Sequence, residues 1–121
     1  GTGCKTVTRI HTEGTDLVAG TWNDNRIGTF RGIRSGKGDY GGTAFGEKGI
    51  VDLGKYSGYN PLLEQIISFF QSGNPPVDQN ETIEIFAFMA AAEESKKKGG
   101  VPVEINKVLQ KATAAAGKIK F

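Results

Sequence analysis

With 121 residues, 37% of them hydrophobic and 23% charged, the chain has the length of one domain and the apolar content for one core. Lysine and arginine number 15 against 13 acidic residues, interspersed to a formal net charge of +2, which leaves too little field to steer a polyanion and gives no pointer to nucleic acid. The longest apolar run, residues 85–92, falls far short of the ~20 residues a bilayer span needs, and no basic-then-apolar leader opens the chain, so a soluble, cytoplasmic protein is expected.

Cys4 is the only cysteine and His11 the only histidine, which excludes an intrachain disulfide and a cysteine–histidine metal cluster; Cys4 is expected to be an inert packing residue. Of the 18 glycines, 14 lie in residues 1–58, whereas helical periodicity lies almost wholly in 59–121. One domain, strand-rich and then helix-rich, follows, of the α+β class. Residues 5–11 (KTVTRIH) and 17–22 (LVAGTW) are β-branched or aromatic runs joined by a Glu-Gly-Thr-Asp turn, the pattern of a hairpin. Asn23-Asp24-Asn25 then turns the chain into RIGTFRGIR, a strand in which Ile27, Thr29, Arg31 and Ile33 alternate with Gly28, Phe30, Gly32 and Arg34. The face carrying Gly28, Phe30 and Gly32 is nearly bare, and glycine inside a strand marks the close approach of another backbone or ring, so this face is a candidate interface. A second hairpin is predicted from 42–45 through Gly46-Glu47-Lys48-Gly49 into 50–53.

The first predicted helix has Asn60 as its cap, Pro61 at its first position and Gly73 as its stop. Leu62, Leu63, Ile66, Ile67, Phe69 and Phe70 fall within an arc of about 160°, the pattern of a helix that buries one face. The second helix opens on Asp78 and Glu81 at capping-box spacing and closes with Glu93–Lys97 and Glu94–Lys98 pairs. Between these ends, Ile83, Ile85 and the run from Phe86 through Ala92 surround the axis and leave Glu84 as the only charge of the first three turns apart from the capping residues, so cover is expected on all sides, in part from another domain or subunit. Ile105, Val108, Leu109 and Ala112 mark a shorter third helix, and the tail from Lys118 to Phe121 has no evident place.

Gly36-Lys37-Gly38-Asp39-Tyr40-Gly41 has the letters of a dinucleotide fingerprint, but the fingerprint needs a helix at its third glycine to present N–H groups to a pyrophosphate. A glycine-broken hairpin follows instead, and a flexible strand connection is the simpler account. Gly3-Cys4-Lys5-Thr6 lacks the glycine that precedes the lysine of a phosphate loop, Asn80-Glu81-Thr82 is explained by capping, and Lys96 to Lys98 read as a solvated helix end. His11 has no patterned nucleophile near it and is expected to be a sheet histidine. Functional promise rests on Arg31, Arg34, Lys37, Asp39 and Tyr40, whose donors and acceptors suit the hydroxyls of a polyol or its phosphate, although a solvated loop with local ion pairs is the simpler account of any one of them.

The order of motifs over 59–100, Tyr59-x-Pro61-Leu62, then Gly73-x-Pro75-Pro76, then Ala92-x-x-Ser95 followed by lysines and Gly99-Gly100, resembles the closing segment of the glucose-fructose oxidoreductase, inositol dehydrogenase and MocA family; residues 42–53 (GTAFGEKGIVDL) are similar to the strand, turn and strand that precede it. The resemblance implies a C-terminal domain of the type shared with glyceraldehyde-3-phosphate dehydrogenase, a mostly antiparallel sheet with helices on one face and another subunit on the other. It implies a parent NAD(P)-dependent sugar or polyol oxidoreductase with an N-terminal Rossmann domain. The family's glycine-rich cofactor turn, its Glu-Lys-Pro lysine and its aspartate and histidine motif have no counterpart here, so no catalytic, cofactor or metal residue is carried over. A substrate-side and oligomerisation domain, inactive alone and binding no cofactor alone, is expected; a stand-alone α+β binding or assembly module is the alternative.

Overall fold

The computed structural model describes residues 1–56 and 58–118; residues 119–121 of the tail lie outside them. Two compact units form, Gly1–Arg34 with Val77–Phe121, and Ser35–Pro76. The first holds strands β1 (Cys4–His11), β2 (Thr15–Trp22) and β3 (Ile27–Ile33). The second holds the hairpin β4 (Thr43–Gly46) and β5 (Gly49–Asp52) and helix α1 (Asn60–Ser72). Helix α2 (Gln79–Lys97), the two-residue strand β6 (Val103–Glu104) and helix α3 (Ile105–Ala116) complete the first unit.

The class is α+β. Four strands run antiparallel in the order β3-β2-β1-β6, and α2 and α3 pack against β1. Directly opposed residues share a face of a sheet. Val7, Val18 and Phe30 therefore lie on the helix-bearing face, with Gly20 opposite Gly28 and Asp16 opposite Gly32. The other face carries Thr8, Ile10, Leu17, Ala19, Thr29, Arg31 and Ile33. A bulge between Cys4 and Thr6 shifts the register by one residue, which turns Cys4 inward instead of outward.

The core consists of Cys4, Val7, Val18, Ala87, Ala91, Ala92, Val103 and Ile105, with Trp22, Phe88, Val108 and Leu109 packed on it. Val7 and Ile105 are almost wholly enclosed (0% and 1% exposed), each burial contributing about 1.5–3 kcal/mol. On α2, Ala87, Ala91, Ala92 and Ser95 form the stripe toward the sheet, and their small size lets helix and sheet approach closely. The glycines of the sheet serve the same end. A Cβ on Gly20 would stand 2.7 Å from the Phe88 ring and 2.8 Å from Trp22, and one on Gly28 3.1 Å from Trp22, so the indole lies across this strip while Phe30 lies beside Gly32. The bare strip read from the sequence thus lies on the helix-bearing face, with the indole across Gly20 and Gly28 and the Phe30 ring, itself exposed, beside Gly32.

Several local expectations need correction. Tyr59, not Asn60, is the N-cap of α1 and makes no side-chain cap bond, because its hydroxyl stands at the far end of a ring and cannot turn back on the first-turn N–H groups, one of which Pro61 lacks in any case. Gly73 does close α1 with φ 71° and an N–H bond to the Phe69 carbonyl, and Asp78 does cap α2 by accepting from the Asn80 N–H at 2.7 Å. Glu93 leaves Lys97 for Arg9 Nη1 at 2.8 Å, whereas Glu94 keeps Lys98 and also reaches Lys111 of α3. No residue of α1 is buried, and Leu62, Leu63, Ile66, Ile67, Phe69 and Phe70 stay exposed rather than forming a core face. The physical reason is scale: a unit whose only other element is a hairpin of four-residue strands has too little surface to cover a helix. Ile83, Ile85, Phe86 and Met89 of α2 are likewise exposed opposite its alanine stripe.

Substituting Gly20→Ala is expected to lower unfolding free energy by about 1–3 kcal/mol in urea titration, since two rings must shift for one methyl. Gly14→Ala, with nothing within 4 Å, should stay within about 0.5 kcal/mol of the parent.

Candidate functional site

The densest polar constellation is centred on Asp16, a residue sequence reading passes over. Its side chain is enclosed on β2 (the residue is 7% exposed), and it accepts from Arg9 Nε at 2.8 Å, His11 Nδ1 at 2.7 Å and Arg34 Nη2. The alternation of β1 puts Arg9 and His11 on one face, the hairpin returns Asp16 to that face, and Arg34 follows β3 two residues beyond Gly32, which pairs with Asp16. Arg34 also donates its N–H to the Gly14 carbonyl and Nη1 to the Thr12 carbonyl at 3.4 Å, tying β3 to the first turn. The guanidinium of Arg9, followed by His11 and Arg34, holds the Asp16 carboxyl well below the usual carboxylate range. With Asp16 ionised, a neutral His11 carries its proton on Nδ1 and turns Nε2 away from the carboxylate. The signal was present in the sequence, a carboxylate with an arginine and a histidine in alternate positions flanking a tight turn, but it becomes visible only once the register is known.

Of the predicted residues, Arg34 is drawn into this cluster. Arg31 lies opposite Leu17 on the face without helices, hence on the reverse side of the sheet from Arg34. Lys37, Asp39 and Tyr40 belong to the Ser35–Pro76 unit and are exposed. There Asp39 Oδ1 accepts from the Tyr40 N–H at 2.8 Å, and Tyr40 joins a ring series with Tyr56 at 6.2 Å and Tyr59 at a further 5.8 Å. Partial desolvation, then the Tyr59 and Tyr40 hydroxyls, raise the Tyr56 phenol above its ordinary value.

A second candidate place is a cavity of about 300 Å³ lined by Cys4, Trp22, Ile85, Phe88, Met89 and the stem of Glu84. Glu84, the lone charge in the apolar part of α2, accepts the N–H groups of Gly3 at 2.9 Å and Cys4 at 2.8 Å and so fixes the start of β1. Cys4 Sγ lies 3.6 Å from the Thr21 carbonyl, and burial, then Glu84, pushes its thiol pKa up, as suits a packing residue. Trp22 stacks on Phe88 with ring centres 6.2 Å apart and carries Arg26 at 5.7 Å on its ring. Among the described residues no three histidine, cysteine, aspartate or glutamate side chains come together as a metal-holding group, and no helix is long and apolar enough to cross a membrane.

Two predictions follow from these geometries. The unfolded Asp16 carboxyl takes its proton near ~3.9 and the folded one far lower, so its stabilisation is complete above the unfolded value and is lost progressively as pH falls from there toward the folded one. Asp16→Asn should lower the urea midpoint at pH 7 and flatten its decline between pH 5 and pH 3. Cys4 should react with a thiol reagent many-fold more slowly in buffer than in denaturant. The chain matches no protein-family model, no curated protein and no solved structure.

Proposed function

We propose that this chain is the C-terminal, substrate-side and oligomerisation part of an NAD(P)-dependent sugar or polyol oxidoreductase, with hydride transfer requiring a nucleotide-binding domain that these residues do not supply. The observation that carries the proposal is the part played by the Ala-x-x-Ser motif. Ala91, Ala92 and Ser95 form the seam between α2 and an antiparallel sheet that bears its helices on one face. Ser95 is wholly buried; its Oγ accepts from the Arg9 N–H at 2.9 Å and donates to the Val101 carbonyl at 2.7 Å. A motif residue fixed at such a seam is what a shared architecture requires, and the order of strand hairpin, Tyr-x-Pro-Leu helix and Ala-x-x-Ser helix is the family's order.

Lys37, Asp39 and Tyr40 of the second unit remain the proposed contacts to sugar hydroxyls or phosphate, with Tyr40, Tyr56 and Tyr59 adding ring faces on which a sugar can stack, whereas Arg34 is held by Asp16 and Arg31 lies on the reverse face of the sheet. Homo-oligomerisation through the sheet is part of the same proposal. The helix-free face, with Thr8, Ile10, Leu17, Ala19, Thr29 and Ile33 and only Arg31 among its β3 residues charged, is a flat surface of low desolvation cost. Hydride chemistry needs the cofactor held against the substrate, and this set of residues provides no phosphate cradle for it.

Titration calorimetry with NAD(H) and NADP(H) is the test. No heat of binding is expected from the isolated chain; a saturable 1:1 isotherm would overturn the assignment to the substrate side.

A further inference from the structure

We infer that the open edge of β3 is a self-pairing edge, at which a second copy of this chain adds its own β3 in antiparallel register to make one continuous sheet. β3 is the terminal strand of the four-stranded sheet, so one row of its backbone groups has no ladder partner within that sheet. Which groups those are follows from the pairing. Arg34 donates its N–H to the Gly14 carbonyl and Trp22 its N–H to the Arg26 carbonyl, so the pairs at the two ends of the β2–β3 ladder are of the bonded kind. The register between them is unbroken, and bonded pairs alternate, so Gly28, Phe30 and Gly32 spend their N–H and C=O groups on β2. Ile27, Thr29, Arg31 and Ile33 aim theirs outward.

The sequence of this strand selects the occupant. Ile27-Gly28-Thr29-Phe30-Arg31-Gly32-Ile33 reads almost the same in both directions about Phe30. A two-fold axis beside Phe30 therefore sets Ile27 against Ile33, Thr29 against Arg31 and Gly28 against Gly32 of the second copy, and Phe30 against Phe30. That register pairs outward-facing residues only with outward-facing residues, so every free N–H meets a free carbonyl; a shift of one residue would destroy this match. A two-fold contact demands such a self-complementary patch. Side chains agree with backbone: the two Phe30 rings, each 62% exposed in one copy and resting beside its own Gly32, meet across a non-bonded pair. Neither proline nor lysine, the usual guards of an edge, occurs between Ile27 and Ile33. This contact is separate from the helix-free face.

Disulfide capture tests it on the full chain. In the inferred register, cysteines replacing Phe30 have Cα atoms about 4.5 Å apart, within the range a disulfide spans. Cysteines replacing Arg31 lie diagonally, about 7–8 Å apart and out of reach. Under mild oxidation Phe30→Cys should form covalent dimer at least about tenfold faster than Arg31→Cys, while the parent, whose Cys4 is buried, forms none. Adding Thr29→Pro to Phe30→Cys should abolish the capture; it removes an outward N–H and no bond to β2, and circular dichroism melting checks that the fold persists. Leu17→Lys, on the helix-free face, should leave the capture unchanged. Equal rates for Phe30→Cys and Arg31→Cys, capture lost with Leu17→Lys but kept with Thr29→Pro, or no capture at millimolar chain would each overturn the inference. So would a monomer whose Thr29 and Arg31 amides are protected from hydrogen exchange, which would assign the edge to the chain's own residues.

Discussion

The first unit depends on how closely α2 can lie on the sheet. Alanine at 87, 91 and 92 and serine at 95 remove side-chain bulk from the helix, and Gly20 and Gly28 remove it from the strands. Two surfaces stripped in this way would leave voids at their margins, and Trp22 and Phe88 fill them as an offset pair, ring centres 6.2 Å apart and planes inclined by 28°. Close approach brings a second requirement, because it seals polar backbone away from water. Ser95 meets it. One hydroxyl takes the Arg9 N–H and gives its own proton to the Val101 carbonyl, so the same atom joins the helix to β1 and to the chain leading into β6. Two backbone groups are satisfied at one point, the Arg9 N–H inside the seam and the Val101 carbonyl at its rim, and leaving the Arg9 amide unpaired would cost about 1–3 kcal/mol.

Charge at the margins follows the same geometry. Arg9 spans from Asp16 on β2 to Glu93 on α2, so the strand that gives Ser95 its backbone donor also supplies the cation that ties helix to hairpin. Glu84 does for the opposite end of β1 what Ser95 does for its middle, receiving two adjacent N–H groups. Glu94 reaches out to Lys111 and so anchors α3; the lysines at 98 and 111 hold its carboxyl below the usual range. Polar groups along α2 therefore mark successive points at which the helix is held, and the large apolar side chains lie between them on the outer side.

Much of the strand and helix order was legible in the sequence because the local signals are strong. Alternating β-branched residues around Glu13-Gly14, the asparagine-rich turn before Ile27, Gly73 as a left-handed stop and Asp78 as a cap each act over a few residues and each is realised. What escaped depends on pairing between distant residues. Whether Gly28, Phe30 and Gly32 face the helices or the open side is decided by their register with β2, and a strand read alone has no preferred side. Asp16 looks like a turn residue until the register sets it beside Arg9, His11 and Arg34. Of the five residues expected to form one polar group, Arg31 and Arg34 alternate to opposite sides of the sheet, which follows from their odd spacing. The apolar residues of α1 do share one arc, but periodicity says which side of a helix wants cover and not that a neighbour exists to give it.

If Ser95 is the joint on which the seam depends, amide hydrogen exchange at Arg9 will report it directly. In the parent chain that amide should exchange only with global unfolding. With Ser95→Ala it should lose protection by at least about tenfold relative to Val7 and Val18, alongside an overall destabilisation of about 2–5 kcal/mol. An Arg9 amide that exchanges in Ser95→Ala at the same rate as its β1 neighbours, in a protein of undiminished stability, would contradict the account.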